Sequence, residues 1–145
     1  MHSELQLLTR LLVAAALAGL LGWERERARK SAGFRTHMLV GIAAALYTTI
    51  GQLSVAEIPP DTEGLRADPI RAVQAVAIGI GFLGSGVIFV SRNEDRVQGL
   101  TTAASIWATA AIGLAAGLEH YTLAVGATLL LLFVLRVMAR FDVED

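Results

Sequence analysis

An all-α membrane bundle of about five transmembrane spans is the fold class the sequence predicts, and three observations carry that prediction. Five apolar runs alternate with short charged connections along 145 residues. Each run is about 17–20 residues long, which is what a hydrocarbon core of ~30 Å requires at 1.5 Å per residue. Hydrophobic residues make up 54% of the chain and charged residues 17%, a balance shifted towards the membrane class. In lipid a helix satisfies every backbone polar group within itself, so the runs read as helices. The expected spans are about 5–23, 38–55, 72–90, 101–118 and 121–138, a single transmembrane domain over 1–145 with no room for a separate soluble one.

The first span follows Met1-His2-Ser3-Glu4 and closes on Gly22-Trp23-Glu24-Arg25-Glu26-Arg27. It has neither a basic n-region nor a small-residue cleavage site, so it reads as a retained span and not a signal peptide. Arg10 lies inside it, where an unpaired guanidinium costs a few kcal/mol. Two readings stay open: Arg10 snorkels to the interface, or it turns inward onto a carboxylate, with Asp68 the best placed by depth. After the span, Glu24 to Arg27 alternate in charge. Residues one apart do not face each other on a helix, so these are not internal pairs. They form an interfacial collar, or Glu24 turns into the bundle to meet Arg35 or His37 at the start of span 2. A lone histidine is weak evidence for a switch or a metal site.

Span 2 contains Gln52, an amide that needs a partner. The longest connection, about residues 56–67, carries Pro59-Pro60, Asp61, Glu63 and Gly64 and reads as a polar, turn-rich loop. In Asp68-Pro69-Ile70-Arg71, Asp68 can cap span 3 while Pro69 takes the first helical position, where its missing N–H costs nothing. Its functional alternative is a carboxylate that receives a cation or a basic partner group. Within span 3, Gly79-Ile80-Gly81-Phe82-Leu83-Gly84 fits the dinucleotide fingerprint, but that motif needs a preceding strand, so nucleotide binding is rejected. Gly79, Gly81, Gly84 and Gly86, with Gly113 and Gly117 in span 4, are read as helix-packing glycines. Gln74 is a further polar group in span 3. Span 4 carries Thr101, Ser105 and Thr109 at a spacing of four, one face of a helix. These hydroxyls are interhelical glue or the lining of a polar cavity.

Charge distribution sets the expected orientation. Nine of the 12 basic residues (Arg25, Arg27, Arg29, Lys30, Arg35, Arg92, Arg96, Arg136, Arg140) fall on one side of the predicted membrane. The positive-inside rule then puts the N-terminus outside and the C-terminus in the cytoplasm, with Trp23 at the inner interface and Tyr121 at the outer. The formal net charge of −1 adds little, and the absence of cysteine excludes disulfide and thiolate chemistry.

Taken in order, these segments resemble the MgtC/SapB family of bacterial inner-membrane proteins. The resemblance rests on Gly22–Arg27, on Gly33-Phe34-Arg35-Thr36-His37-Met38-Leu39-Val40 and on Asp68–Arg71. It extends through Gly79–Gly86 and Gly99-Leu100-Thr101-Thr102-Ala103-Ala104-Ser105 with Trp107 and Thr109. It implies a protein linked to growth in low magnesium and, in pathogens, to survival inside host cells. It also implies regulation of other membrane proteins, the F-type ATP synthase and a magnesium-importing pump, rather than transport. The chain resembles a short form, lacking after Asp145 the cytoplasmic domain of the best-studied members.

Two functional classes follow. One is a regulatory or interaction module that binds another membrane protein, or a second copy of itself, through glycine-rich faces. The other is a small-ion transporter or sensor, for magnesium or another cation, with a path through Asp68, Gln74 and the span 4 hydroxyls. The interaction module is favoured. No nucleophile–base pair is visible, so no enzyme is expected, and no cofactor unless magnesium itself. The expected surroundings are a lipid bilayer and other membrane proteins, not nucleic acid. The functional candidates are Glu24, Arg25, Arg35, Thr36, His37, Asp68, Arg71, Thr101, Thr102 and Ser105, with Arg10 as the intramembrane charge and the metal question open.

An internal repeat is also expected. Gly19-Leu20-Leu21-Gly22 and Gly81-Phe82-Leu83-Gly84 each precede a charged connection, and a span then opens at Gly33-Phe34-Arg35-Thr36 or Gly99-Leu100-Thr101-Thr102. Both pairs run inward and then outward, as parallel repeats about an axis along the membrane normal would. Their contact would gather Glu24, Arg35 and His37 with Thr101, Thr102 and Ser105 at the cytoplasmic side.

Overall fold

A computed structural model describes residues 4–57, 70–90 and 98–137, and these residues form five α-helices and no strand. The helices are α1 (Glu4–Arg27), α2 (Phe34–Ala56), α3 (Ile70–Val90), α4 (Leu100–Gly117) and α5 (Tyr121–Val137). The first four are long and apolar enough to cross a membrane; α5 is apolar and is described over 17 residues.

Two boundaries differ from the expected ones in a way that matters for function. Helix α1 continues through the charged run to Arg27, and α2 starts four residues before the apolar run, at Phe34. Glu24, Arg25 and His37 therefore project from helices rather than from a loop. The extension of α1 is favoured by its charges, with Glu4 in the first turn and Arg25 and Arg27 in the last, complementing the helix dipole. The helix stops at a Schellman turn. Arg29 takes the left-handed conformation (φ 53°), and the Lys30 and Arg29 N–H groups donate to the Arg25 and Glu26 carbonyls, each at 3.0 Å. Helix α4 stops the same way at Glu119 (φ 64°), with Glu119 N–H on Ala116 O and His120 N–H on Ala115 O.

Helix α4 is central and packs against all four others; α1 and α2 complete the core, α5 lies against α1 and α4, and α3 packs on α4 and more lightly on α2. Helices α1 and α3 do not pack against each other among the described residues. The composition of the layers is inverted relative to a water-soluble bundle. Buried positions are dominated by Ala, Gly, Thr and Ser, including Ala14, Ala18, Ala45, Thr48, Thr109 and Ala116, whereas Phe82, Phe89, Ile78 and Leu5 are exposed. An apolar surface of that extent suits a lipid surround, and small residues let helices approach when no hydrophobic effect drives them together.

The closest approach is at Gly41 of α2. A Cβ there would lie 2.6 Å from Ala18 Cβ of α1, and one on Gly113 of α4 would collide with the Gly41 carbonyl from the other side. Gly117 repeats the contact a turn along, where a Cβ would lie 2.8 Å from Ala45 O, and a Cβ on Gly22 would lie 2.9 Å from His37 Cβ. Three backbones thus meet where side chains would hold them apart.

Candidate functional site

Polar side chains gather at the two ends of the α1–α2–α4 core. At one end Arg10 is 1% exposed and fully engaged. Its Nε and Nη2 donate to Glu119 Oε1 at 3.0 and 2.7 Å, and its Nη1 to Gln52 Oε1 at 2.7 Å and to the Gly117 carbonyl at 3.0 Å. One guanidinium joins α1, α2 and the end of α4, whose last carbonyls carry the negative end of the helix dipole. The left-handed backbone at Glu119 belongs to the turn that brings its carboxylate there. Of the two readings open for Arg10, the inward one holds, and among the described residues its carboxylate is Glu119; Asp68, the expected partner, lies outside the described residues. Helix α1 packs on α4, and this brings Glu119 at the end of α4 beside Arg10.

At the other end the charged collar splits four ways. Glu26 Oε2 accepts the Phe34 N–H at 2.8 Å and so caps α2, whose N-cap Gly33 supplies no side chain. The Arg27 guanidinium stacks over Trp23, 5.4 Å from the ring centre. Arg25 turns inward and is 3% exposed. Glu24 is half-buried, and its Oε2 lies 3.9 Å from Arg25 Nη1, beyond hydrogen-bond reach. The expected meeting of Glu24 with Arg35 or His37 does not occur as a hydrogen bond; Arg35 is exposed. Glu24 Oε2 and Arg25 Nε and Nη2 are buried without a hydrogen-bond partner. They are the unsatisfied polar atoms of this end.

His37 is wholly buried and bridges α2 to α4. Its Nδ1 lies 2.9 Å from Gly33 O and its Nε2 3.2 Å from Ser105 Oγ. A carbonyl only accepts, so Nδ1 carries a proton. Ser105 also donates to Thr102 O at 2.8 Å. Its single hydroxyl proton cannot serve both Thr102 O and a neutral Nε2, so both bonds form together only when Nε2 is the donor.

The other span hydroxyls turn back on their own helices. Thr48, Thr49, Thr109 and Thr128 each donate to the carbonyl four residues earlier at 2.8 Å. The buried stripe of α4 is Thr102, Ser105 and Thr109, while Thr101 is exposed. Thr36, Arg71 and Gln74 are exposed as well. Of the expected ion path, Gln74 is exposed, Ser105 and Thr109 donate to carbonyls of their own helix, and Asp68 lies outside the described residues. Among the packing glycines, Gly113 and Gly117 pack against α2 and Gly84 lies beside Ala103, but a Cβ added at Gly79, Gly81 or Gly86 would meet nothing within 4 Å among the described residues. No cluster of three or more His, Cys, Asp or Glu that could hold a metal occurs among the described residues.

Arg25, Arg29, Lys30, Ser31, Thr101 and Thr102 line a polar cleft of about 520 Å³ between the end of α1 and the start of α4. Sequence reasoning named Arg25, Thr101 and Thr102 without placing them together. It missed Glu119 and Glu26, although Glu119 directly follows span 4 at the Arg10 end.

Against known proteins, the pattern of the MgtC family matches residues 11–143. The chain belongs to the MgtC family. It is 42% identical over 133 residues to YhiD of Escherichia coli K12, named as a candidate magnesium transporter, covering 91% of this chain and 60% of that protein. It is 38% identical to an uncharacterized protein of Haemophilus influenzae, covering 92% of this chain and 56% of the relative. To MgtC of Salmonella typhimurium it is 39% identical, over 84% of this chain and 48% of the relative. The chain thus spans about half to three-fifths of the curated relatives it matches. No solved structure matches it. Apolar spans and family membership together make it a multi-pass membrane protein.

Proposed function

We propose that this chain is an interaction module of the bacterial inner membrane that regulates another membrane protein during adaptation to low magnesium. Its N-terminus and the Arg10 end face outward, and the Arg25 end and C-terminus face the cytoplasm, as the asymmetry of basic residues favours. The observation that carries this reading is the state of α3. It is the least buried of the four long helices, and a Cβ added at Gly79, Gly81 or Gly86 would meet no atom of another described element within 4 Å. A backbone left bare in lipid is suited to close packing by a helix from another protein or a second copy. The rigid α1–α2–α4 core supports that face and has its own glycines filled. The chain carries out no reaction in this reading. Partners of the ATP synthase or magnesium-pump type come from the family resemblance.

Magnesium transport, which the name of the E. coli relative favours, is the second reading. Against it stand the locally satisfied hydroxyls and the Arg10 network, which occupies one end of the core. The two separate by experiment. Tagged protein is captured from membranes grown at low and high magnesium, with magnesium flux measured on the pure protein in liposomes. The module reading expects a membrane-protein partner that Gly81→Leu abolishes while the variant remains folded, and no flux. Flux above that of empty liposomes, with no partner lost in Gly81→Leu, overturns it.

A further inference from the structure

Among the described residues, the polar cleft at the end of α1 holds positive charge without a matching anion. Its charged lining is Arg25, Arg29 and Lys30, and no carboxylate lines it among the described residues. The helix that opens there adds to the imbalance. In α4 the first bonded amide is Ala103 N–H, on Gly99 O at 2.8 Å, which leaves Leu100, Thr101 and Thr102 N–H outside the helical ladder. No side chain caps them, and the first turn contains no acidic residue. The start of α2 shows what is absent, because there the Glu26 carboxylate takes the Phe34 N–H. The second, independent observation is Arg25. This residue is 3% exposed, forms part of the cleft wall, and leaves Nε and Nη2 unpaired, with Glu24 Oε2 3.9 Å from its Nη1. A buried guanidinium beside a positive helix end is costly unless an anion joins them.

We propose that this cleft binds a phosphate-type oxyanion, held by the Arg25 guanidinium, the free N–H groups at the start of α4 and the side chains of Arg29 and Lys30. The donors exceed what the two oxygens of a carboxylate accept. They comprise a planar fork, backbone N–H groups at a helix start, and the Ser31 and Thr101 hydroxyls, a set suited to the three or four oxygens of a phosphate group. Binding through Arg25 Nε and Nη2, which are covered in this structure, requires rotation about the terminal bonds of the side chain. The cleft volume of about 520 Å³ leaves space for an organic substituent. The phosphate can come from a lipid headgroup at the membrane surface or from a free anion in solution, and both present the same chemistry.

The full chain is purified in an uncharged detergent, and unfolding is followed through Trp23 and Trp107 fluorescence. In one arm inorganic phosphate replaces chloride at constant ionic strength. In the other the protein is placed in phosphatidylcholine nanodiscs with or without phosphatidylglycerol, and retained lipid is counted by native mass spectrometry. Binding in either arm supports the site, and the arm identifies the source. Arg25→Gln is expected to weaken it about tenfold, the scale of a lost charge-assisted bond. If Arg25→Gln does not fold, the double variant Arg29→Gln/Lys30→Gln decides, since both residues are exposed. It should weaken binding and flatten its salt dependence. Three outcomes overturn the proposal: phosphate acting no differently from chloride in both arms; binding that the folded variants do not weaken; or binding seen only after Glu94→Gln/Asp95→Asn, which would give the cleft to the chain's own carboxylates.

Discussion

Arg10 is the residue on which the α1–α2–α4 core closes. Its buried guanidinium is satisfied by one carboxylate, one amide and one carbonyl, so removing it strands several acceptors at once. Arg10→Ala is expected to destabilise the protein by about 3 kcal/mol, the scale for losing one partner of a buried pair. Glu119 is 40% exposed, and Glu119→Gln is expected to lose only about 1 kcal/mol. The double mutant Arg10→Ala/Glu119→Gln should be no worse than Arg10→Ala, whereas Arg10→Ala and Asp68→Ala should add. Denaturant titration of the four variants in detergent reads this directly; additive losses for Arg10 and Glu119 would dissolve the pair. The need of Arg10 for a partner was legible in the sequence, and the identity of that partner was not. Depth along the membrane normal follows from counting residues, which puts Asp68 at the Arg10 end and would have put Glu119 there too, directly after span 4. Which helices are lateral neighbours depends on packing between segments 109 residues apart, and residue spacing does not encode it.

Glycine has opposite roles on two helices of similar composition. In α4 it is consumed within the chain, because any Cβ on Gly113 meets the Gly41 carbonyl. In α3, Gly79, Gly81 and Gly86 are exposed, and only Gly84 is buried, against α4. The small-residue spacing of Gly81 and Gly113 reads the same in both spans, so the sequence marks both as close-approach surfaces without saying whether the approaching helix is the chain's own. Gly113→Leu should therefore prevent folding or lower stability by more than the usual 1–3 kcal/mol of overpacking, since backbone and not a side chain would have to yield. Gly81→Leu should leave the melting temperature of the monomer nearly unchanged. Thermal unfolding of the two variants side by side is the check. Equal destabilisation would mean that α3 is as tightly held as α4. The limits of α1 and α2 were legible only to the edges of their apolar runs. Beyond those edges, capping by Glu26 and the Schellman turn at Arg29 carry the helices onward, and neither device has an apolar signature.

At the scale of the whole molecule, the two helical hairpins meet at matched positions. A Cβ on Gly22 would lie 2.9 Å from His37 Cβ in the first hairpin, and one on Gly84 3.6 Å from Ala103 Cβ in the second. Both second helices open immediately after a glycine, at Phe34 and at Leu100, so Thr36 and Thr102 each stand third in their helix. The burial of these threonines differs, exposed in α2 and 4% in α4, because α4 is the central helix and α2 is not. A parallel repeat makes a demand on topology that the charge pattern makes independently. The connections at Lys30 and Glu94 must lie on one side of the membrane, and the connection at Thr62 on the other. The chain contains no cysteine, so single cysteines at 30, 62, 94 and 143 report without background. In intact cells an impermeant maleimide should label position 62 alone, and positions 30, 94 and 143 only after permeabilisation. Labelling of 30 and 94 on opposite sides would break the repeat. Labelling of 30, 94 and 143 together from outside would keep the repeat and invert the molecule, placing the Arg25 cleft on the outer face, where a cytoplasmic phosphate could not reach it.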